Sequence, residues 1–241
     1  VVADTILTAT TAVIGDEYYN GAWVLVGIIF YGIELYADFT GGIDITIGIA
    51  QVFGVKVAEN FIRPYFSKNI AEYWRRWHIS MGTWFRDYIF YPMSISKRMG
   101  KLTKFCKTHF GKGVAKRVPV YLATMVTWFA TGIWHGASWN FVMWGIMFAA
   151  LLIAEKTLLL GFIKKHRAIG HIYTLFFVML CFIMFDASGV KEGFETIAAL
   201  FGANAADNTE ALYYLRSYTV PLIIAAIGAT PVSYTHLTLP T

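Results

Sequence analysis

The sequence predicts an all-α protein: a multi-pass transmembrane helical bundle with an interfacial amphipathic helix and room for re-entrant segments around a central histidine. Three observations predict it. Of 241 residues, 57% are hydrophobic and only 15% charged, with a mean hydropathy of +0.54; soluble domains carry about 45–50% apolar and about 25% charged residues. Six apolar runs have or approach the length of about 20 residues that crosses a bilayer as a helix. The lysines and arginines concentrate in stretches between those runs, the positive-inside pattern.

The runs lie at 21–37, 42–58, 118–134, 139–154, 169–187 and 218–230. The second contains Gly41-Gly42 and reads as broken or re-entrant, because glycine allows a break or a close backbone approach. Residues 71–92, "AEYWRRWHISMGTWFRDYIFYP", read as one amphipathic helix lying along the interface. Trp74, Trp77, Met81, Trp84, Phe85 and Tyr88 share its apolar face; Glu72, Arg75, Arg76, Thr83, Arg86 and Asp87 share the wet one, with Ile79 the exception. His78 falls at the edge of the apolar face, Glu72 and Arg76 form an i,i+4 pair, and Pro92 ends the helix.

"KRMGKLTKFCKTHFGKGVAKR", 97–117, has no acid and reads as a basic loop; "KKHR", 164–167, is a second. Both are expected on the cytoplasmic side. That orientation puts His135 at the turn "WHGASWN" on the far side, or dipping into the bilayer where irregular backbone lines a cavity. Residues 190–215 read as a loop with a short helix. Residues 1–230 form a single domain with no repeat or linker, and 231–241 read as a non-native or disordered tail, so His236 receives no role. The start "VVADTILTAT", without Met, reads as that of an N-terminally truncated chain.

Net charge is +5, but the basic residues sit between apolar runs rather than on one soluble face, which argues against nucleic acid as partner and for membrane lipids. Cys106 and Cys181 are far apart and suggest neither a disulfide framework nor a metal site. Glycine-rich phosphate loops, a serine elbow and paired cysteines are all missing, which leaves histidines in a membrane as the chemistry. His109, His166 and His171 sit in or beside basic stretches and read as solvated. His78 and His135 are each flanked by Trp at the border of apolar sequence. Such a histidine is ordinarily a buried, hydrogen-bonded residue; an ionisable group at membrane depth is also a candidate for function, and imidazole exchanges protons near neutral pH. Glu34, Asp38 and Asp44, inside apolar sequence, either pair locally or line a polar cavity.

Three stretches carry a resemblance: "LYADFTGGIDI" (35–45), "ENFIRPYFSKNIAEYWRRWHISMGTWFRDYIFYP" (59–92) and "GIWHGASWNFVMWG" (132–145). In this order they resemble the membrane-bound O-acyltransferases, in the bacterial branch whose members acetylate alginate or transfer D-alanyl groups to teichoic acid. The resemblance covers about residues 19–155. It implies a multi-pass protein of the bacterial cytoplasmic membrane in which His135, in "WHG", is essential and His78, in "RRWHIS", supports it. It implies no bound cofactor but an acyl thioester co-substrate, acetyl-CoA or an acyl-carrier protein on the cytoplasmic side. The implied transfer is of acetyl to a hydroxyl of an exported or surface polysaccharide, with D-alanyl transfer to teichoic acid as the alternative and an extracytoplasmic partner expected to finish the modification. Members have more helices before the "YADF" region than this chain has.

On that reading His135 is general base toward the acceptor hydroxyl, His78 orients the donor, and Trp134, Asn140 and Asp38 line the pocket. Two other classes remain open. Broken helices and intramembrane acids also suit a glycan or lipid transporter or flippase, and an inactive scaffold recruiting an outside partner is the third.

Overall fold

The computed structural model describes residues 2–14, 21–202 and 209–228, and among these the chain is helical with no strand. The expected tail 231–241 lies outside the described residues. Three helices are long and apolar enough to cross a membrane: Trp23–Val52, Trp139–Lys165 and Arg167–Asp186. A shorter apolar helix covers Thr219–Gly228. Among the described residues, three helices and the shorter Thr219–Gly228 thus answer to the six apolar runs.

Helix α1 (Val2–Ile14), which the sequence reading passed over, packs on α2 (Ala22–Val52). The second helix runs unbroken through Gly41-Gly42, so the two runs expected at 21–37 and 42–58 are one helix, and 53–58 leave it. The glycine pair makes no close approach: a Cβ at either position would meet nothing within 4 Å. At about 1.5 Å per residue its 31 residues exceed the roughly 30 Å hydrocarbon core.

The expected single interfacial helix is instead several short pieces. After a 3₁₀ turn at Pro64–Phe66 come α3 (Ile70–Tyr73), α4 (Ile79–Phe85), a π-helical segment (Arg86–Phe90) and α5 (Tyr91–Ser94). The break lies at His78, whose φ of 45° and ψ of 55° are left-handed. Pro92 does not end the element: helical backbone runs on from the π segment through Phe90 and Tyr91 into α5, which continues to Ser94. The apolar face divides accordingly. Trp77, Met81 and Phe85 are buried, while Trp84 and Tyr88 are exposed.

Helix α6 (Lys97–His135) begins at Ser96, whose Oγ accepts from the Met99 N–H at 3.2 Å. The basic stretch read as a loop is therefore helical, with one bend at Gly111, where φ 85° and ψ 172° interrupt it. Met99 and Cys106 are buried, and Lys101, Lys104 and Lys107 point outward. The run 118–134 forms the second half of α6, but its threonines and tyrosine, and the basic half before it, keep it off the apolar spans.

A three-residue turn returns the chain into α7 (Trp139–Ala154), antiparallel to α6. It continues through a π segment (Glu155–Leu159) into α8 (Leu160–Lys165), and α9 (Arg167–Asp186) packs against α7. Helix α10 (Val190–Leu200) fills much of the expected loop, and α11 (Thr209–Ser217) and α12 (Thr219–Gly228) follow. The core is aromatic: Phe61, Tyr73, Trp77, Trp144, Phe148 and Phe182 form its buried centre, and α3, α7 and α9 meet there.

Candidate functional site

His78 is held by the irregular segment before α3. Asn60, buried, collects three contacts on its Oδ1: the Ser80 N–H at 3.0 Å, the Ser80 hydroxyl at 2.6 Å and the His78 Nδ1 at 3.3 Å. Its own carbonyl accepts from the Ile79 N–H at 3.1 Å. An amide oxygen only accepts, so Nδ1 of His78 carries the proton and Nε2 keeps the lone pair. The ring meets Phe39 edge-on at 4.8 Å.

His135 is the last residue of α6, not a member of the turn as the sequence reading placed it; Gly136, extended, caps the helix. Its ring packs edge-on against Trp134 and Trp144, both at 4.8 Å, and against Phe185 at 5.1 Å. Its Nε2 is buried and has no hydrogen-bond partner among the described residues. Close helix contact makes this enclosure possible. A Cβ on Gly132 would lie 2.6 Å from the Phe141 carbonyl oxygen, and one on Gly145 would strike the Trp128 carbonyl.

The two histidines line one small chamber of about 50 Å³. Its other walls are Leu35, Phe39, Trp74, Trp77, Met81, Trp144, Phe182 and Phe185, so the histidines carry its only titratable groups. Both histidines lie outside the three apolar spans. Burial lowers the imidazole pKa of each below the ordinary histidine value, and for His135 repulsion from a charged His78 adds to it. Both are then neutral near pH 7, and each offers a ring nitrogen that accepts a proton.

Beside the chamber lies an open cleft of about 900 Å³. Trp74 and Met81 line both spaces and form the wall between them. The cleft carries Arg75, Arg86, Lys156 and Lys164 against one carboxylate, Glu155. That carboxylate is buried and committed: it accepts from the backbone N–H of Ile70 at 2.6 Å and of Ala71 at 3.4 Å, capping α3 from across the bundle.

Of the residues singled out from the sequence, His78 and His135 share the chamber; Trp134 packs beside both rings but is half exposed and lines neither space. Asn140 is buried, but its amide donates to the carbonyls of Phe185 and Ala187 at 3.1 and 2.7 Å, tying α7 to the end of α9. Asp38 is exposed on α2 and lines neither space, as do neither Glu34 nor Asp44. The sequence reading missed Asn60, Trp144, Phe185 and Glu155, which reach the site only through tertiary packing. Asn60 does sit inside the "ENFIRPYF" stretch that carried the resemblance, which was its one available signal.

The family model of membrane-bound O-acyltransferases matches residues 17–111. A probable alginate O-acetylase AlgI of Azotobacter vinelandii is 32% identical over 189 residues, 78% of this chain and 34% of that protein. A peptidoglycan O-acetyltransferase of Helicobacter pylori is 28% identical over 178 residues, 72% of this chain and 31% of the relative. A teichoic acid D-alanyltransferase of Bacillus subtilis is 31% identical over 122 residues, 51% of this chain and 28% of the relative. The chain thus spans about a third of the length of the curated relatives it matches.

Proposed function

We propose, from the chain's membership of the membrane-bound O-acyltransferase family, that the whole protein is a multi-pass acyltransferase of the bacterial cytoplasmic membrane. It moves an acetyl group from a cytoplasmic thioester, acetyl-CoA or an acylated carrier protein, to a hydroxyl of an exported or cell-surface polysaccharide. An extracytoplasmic partner completes the modification. Residues 1–230 act as one unit in this reading.

The observation that carries it is the buried, unpartnered Nε2 of His135 beside the apolar chamber it shares with His78. A neutral imidazole with a free lone pair is a base waiting for a proton. His135 takes the proton of the acceptor hydroxyl as its oxygen attacks the thioester carbonyl. The C–O bond forms, the C–S bond breaks, and the sulfur leaves with the proton from His135. A positioned base contributes about 10²–10⁴-fold, and apolar walls keep water from the thioester. His78, fixed by Asn60, orients the reacting groups.

The cationic cleft supports donor entry from the cytoplasmic side. Lys164, in one of the two basic stretches, lines it, and so does Val120, just beyond the other. Arg75, Lys156 and Lys164, beside an Arg86 already paired with Asp87, suit the phosphates of a nucleotide or carrier-bound thioester. The chamber also favours acetyl over D-alanyl, the group named for the Bacillus relative. A D-alanyl thioester brings an ammonium group, and no carboxylate lines the chamber to pair with it; burying an unpaired charge is costly.

The test uses sealed membrane vesicles of defined orientation that contain the protein and its acceptor. Labelled acetyl thioester supplied only on the cytoplasmic face is expected to yield labelled glycan ester on the other. Transfer that requires donor on the outer face contradicts the reading. Glycan movement independent of any thioester would favour a transporter instead.

A further inference from the structure

Two more residues that line the chamber carry a buried polar atom without a partner among the described residues, and both atoms are hydrogen-bond donors. Trp74 and Trp144 both line it, and the indole Nε1 of each is buried with no hydrogen-bond acceptor among the described residues. A buried N–H left unmade costs on the order of 1–3 kcal/mol, so native proteins seldom keep one without a use. Here the two residues that carry these donors line, with His135 and its own unpartnered Nε2, a single space of about 50 Å³. They are also close to each other. The Trp144 ring lies 4.8 Å from that of His135 and 5.7 Å from that of Trp74.

Neither ring is free to turn away. Trp144 is 3% exposed and is clamped between Phe148 at 5.2 Å and Phe185 at 5.4 Å. Trp74 is clamped by Trp128 at 4.7 Å and Phe148 at 4.9 Å. Indole nitrogen only donates. Donors held by such packing in apolar surroundings are matched by an acceptor that enters from outside, and a carbonyl oxygen is such an acceptor.

We propose that the indole N–H groups of Trp144 and Trp74 form the oxyanion hole of the acyl transfer, with Trp144 the principal donor. The proposal rests on the acyl-transfer reading of the same site. When the acceptor oxygen bonds to the thioester carbon, the carbonyl π pair moves onto oxygen, and the indole N–H groups stabilise the charge there. When that pair returns, the C–S bond breaks and the sulfur leaves with the proton from His135. Preorganised donors aimed at developing charge act strongly in a water-excluded site because nothing must reorganise.

The test measures acetyl-thioester transfer by the whole protein in membranes. Trp144→Phe removes the N–H and keeps a ring. It is expected to lower kcat about 10²-fold, as loss of one oxyanion donor does, with little change in KM for the thioester and an unaltered pH profile. Because phenyl is smaller than indole, the isosteric benzothienylalanine, which replaces N–H by sulfur, is placed at the same position. It is expected to lose activity to the same extent at wild-type abundance. Wild-type kcat with benzothienylalanine at position 144 would overturn the proposal. So would a loss confined to KM, since uniform binding is not transition-state stabilisation. If the unaltered protein transfers no acyl group, the acyl-transfer reading fails and this assignment falls with it; if the unaltered protein is active and both variants keep full kcat, only the assignment fails.

Discussion

The rings of His78 and His135 face one chamber from two different elements, and the indole of Trp134 bridges them, 6.2 Å from the first and 4.8 Å from the second. One ring is fixed by a hydrogen bond to Asn60, and the other packs against aromatic edges with its Nε2 unpartnered among the described residues. That asymmetry is what the roles proposed above rest on, the tethered ring positioning and the untethered one taking the proton.

The tether makes a prediction about Asn60. Asn60→Ala leaves the Ser80 N–H and the His78 Nδ1 without their acceptor. It is expected to cost about 1–3 kcal/mol of stability, read as a lower midpoint of thermal unfolding in detergent, and to lower kcat more than it raises KM. Full activity with intact thermal stability would show that His78 needs no anchor.

Close packing of α6 on α7 makes a second. Gly145→Ala drives a methyl into the Trp128 carbonyl, and overpacking of this kind costs about 1–3 kcal/mol. Ala in place of Gly41 is the comparison, because a Cβ there meets nothing and alanine favours the helix. Membrane abundance is expected to fall for the first substitution and to hold for the second.

Met81 and Trp74 separate the chamber from the cleft, and Met81 is the flexible partner of the two. A cavity of about 150 Å³ accommodates six carbons in another protein, so about 50 Å³ suits an acetyl-sized group. Met81→Ala is expected to raise the ratio of butyryl to acetyl transfer by about tenfold or more, since each methylene in a fitted pocket is worth about 10-fold or above. Comparing the two thioesters in one membrane preparation checks it; an unchanged ratio contradicts the wall.

The sign of the pH dependence follows from burial. His135 acts in its neutral form, and its pKa lies below the ordinary value of about 6.5. The acid limb of kcat is therefore expected below pH 6.5, with activity flat from there through neutrality. Stability follows the same direction. Between about 6.5 and the lowered value the unfolded chain binds the proton first, so stability falls as pH falls through that window. A rate profile rising through pH 7 would mean that another group is the base.

Much of this was legible in the sequence, and the failures have physical causes. The runs at 139–154 and 169–187 gave their helices directly, because their periodicity competes with nothing. Gly41-Gly42 misled because glycine permits a break without compelling one, and α2 runs on through it. The basic stretch misled because charge density says which side of a membrane a segment faces, and nothing about whether it is helical. The amphipathic wheel failed at His78 because a left-handed residue other than glycine has no local signature; Asn60 holds it from a distance. His135 stood out by its neighbours in sequence, whereas Trp144, Phe185 and the wall at Met81 become a chamber only when α4, α7 and α9 pack together.

The central claim is that His135 is the base of acyl transfer, and its most direct measurement is the ester content of the surface glycan in the native host. His135→Ala is made in the whole protein, membrane abundance is confirmed, and ester-linked acyl groups per sugar are quantified by mass spectrometry beside the amount of glycan exported. The account predicts that the esters, identified as acetyl in the unaltered strain, disappear while export continues. Unchanged ester per sugar at normal abundance would contradict it.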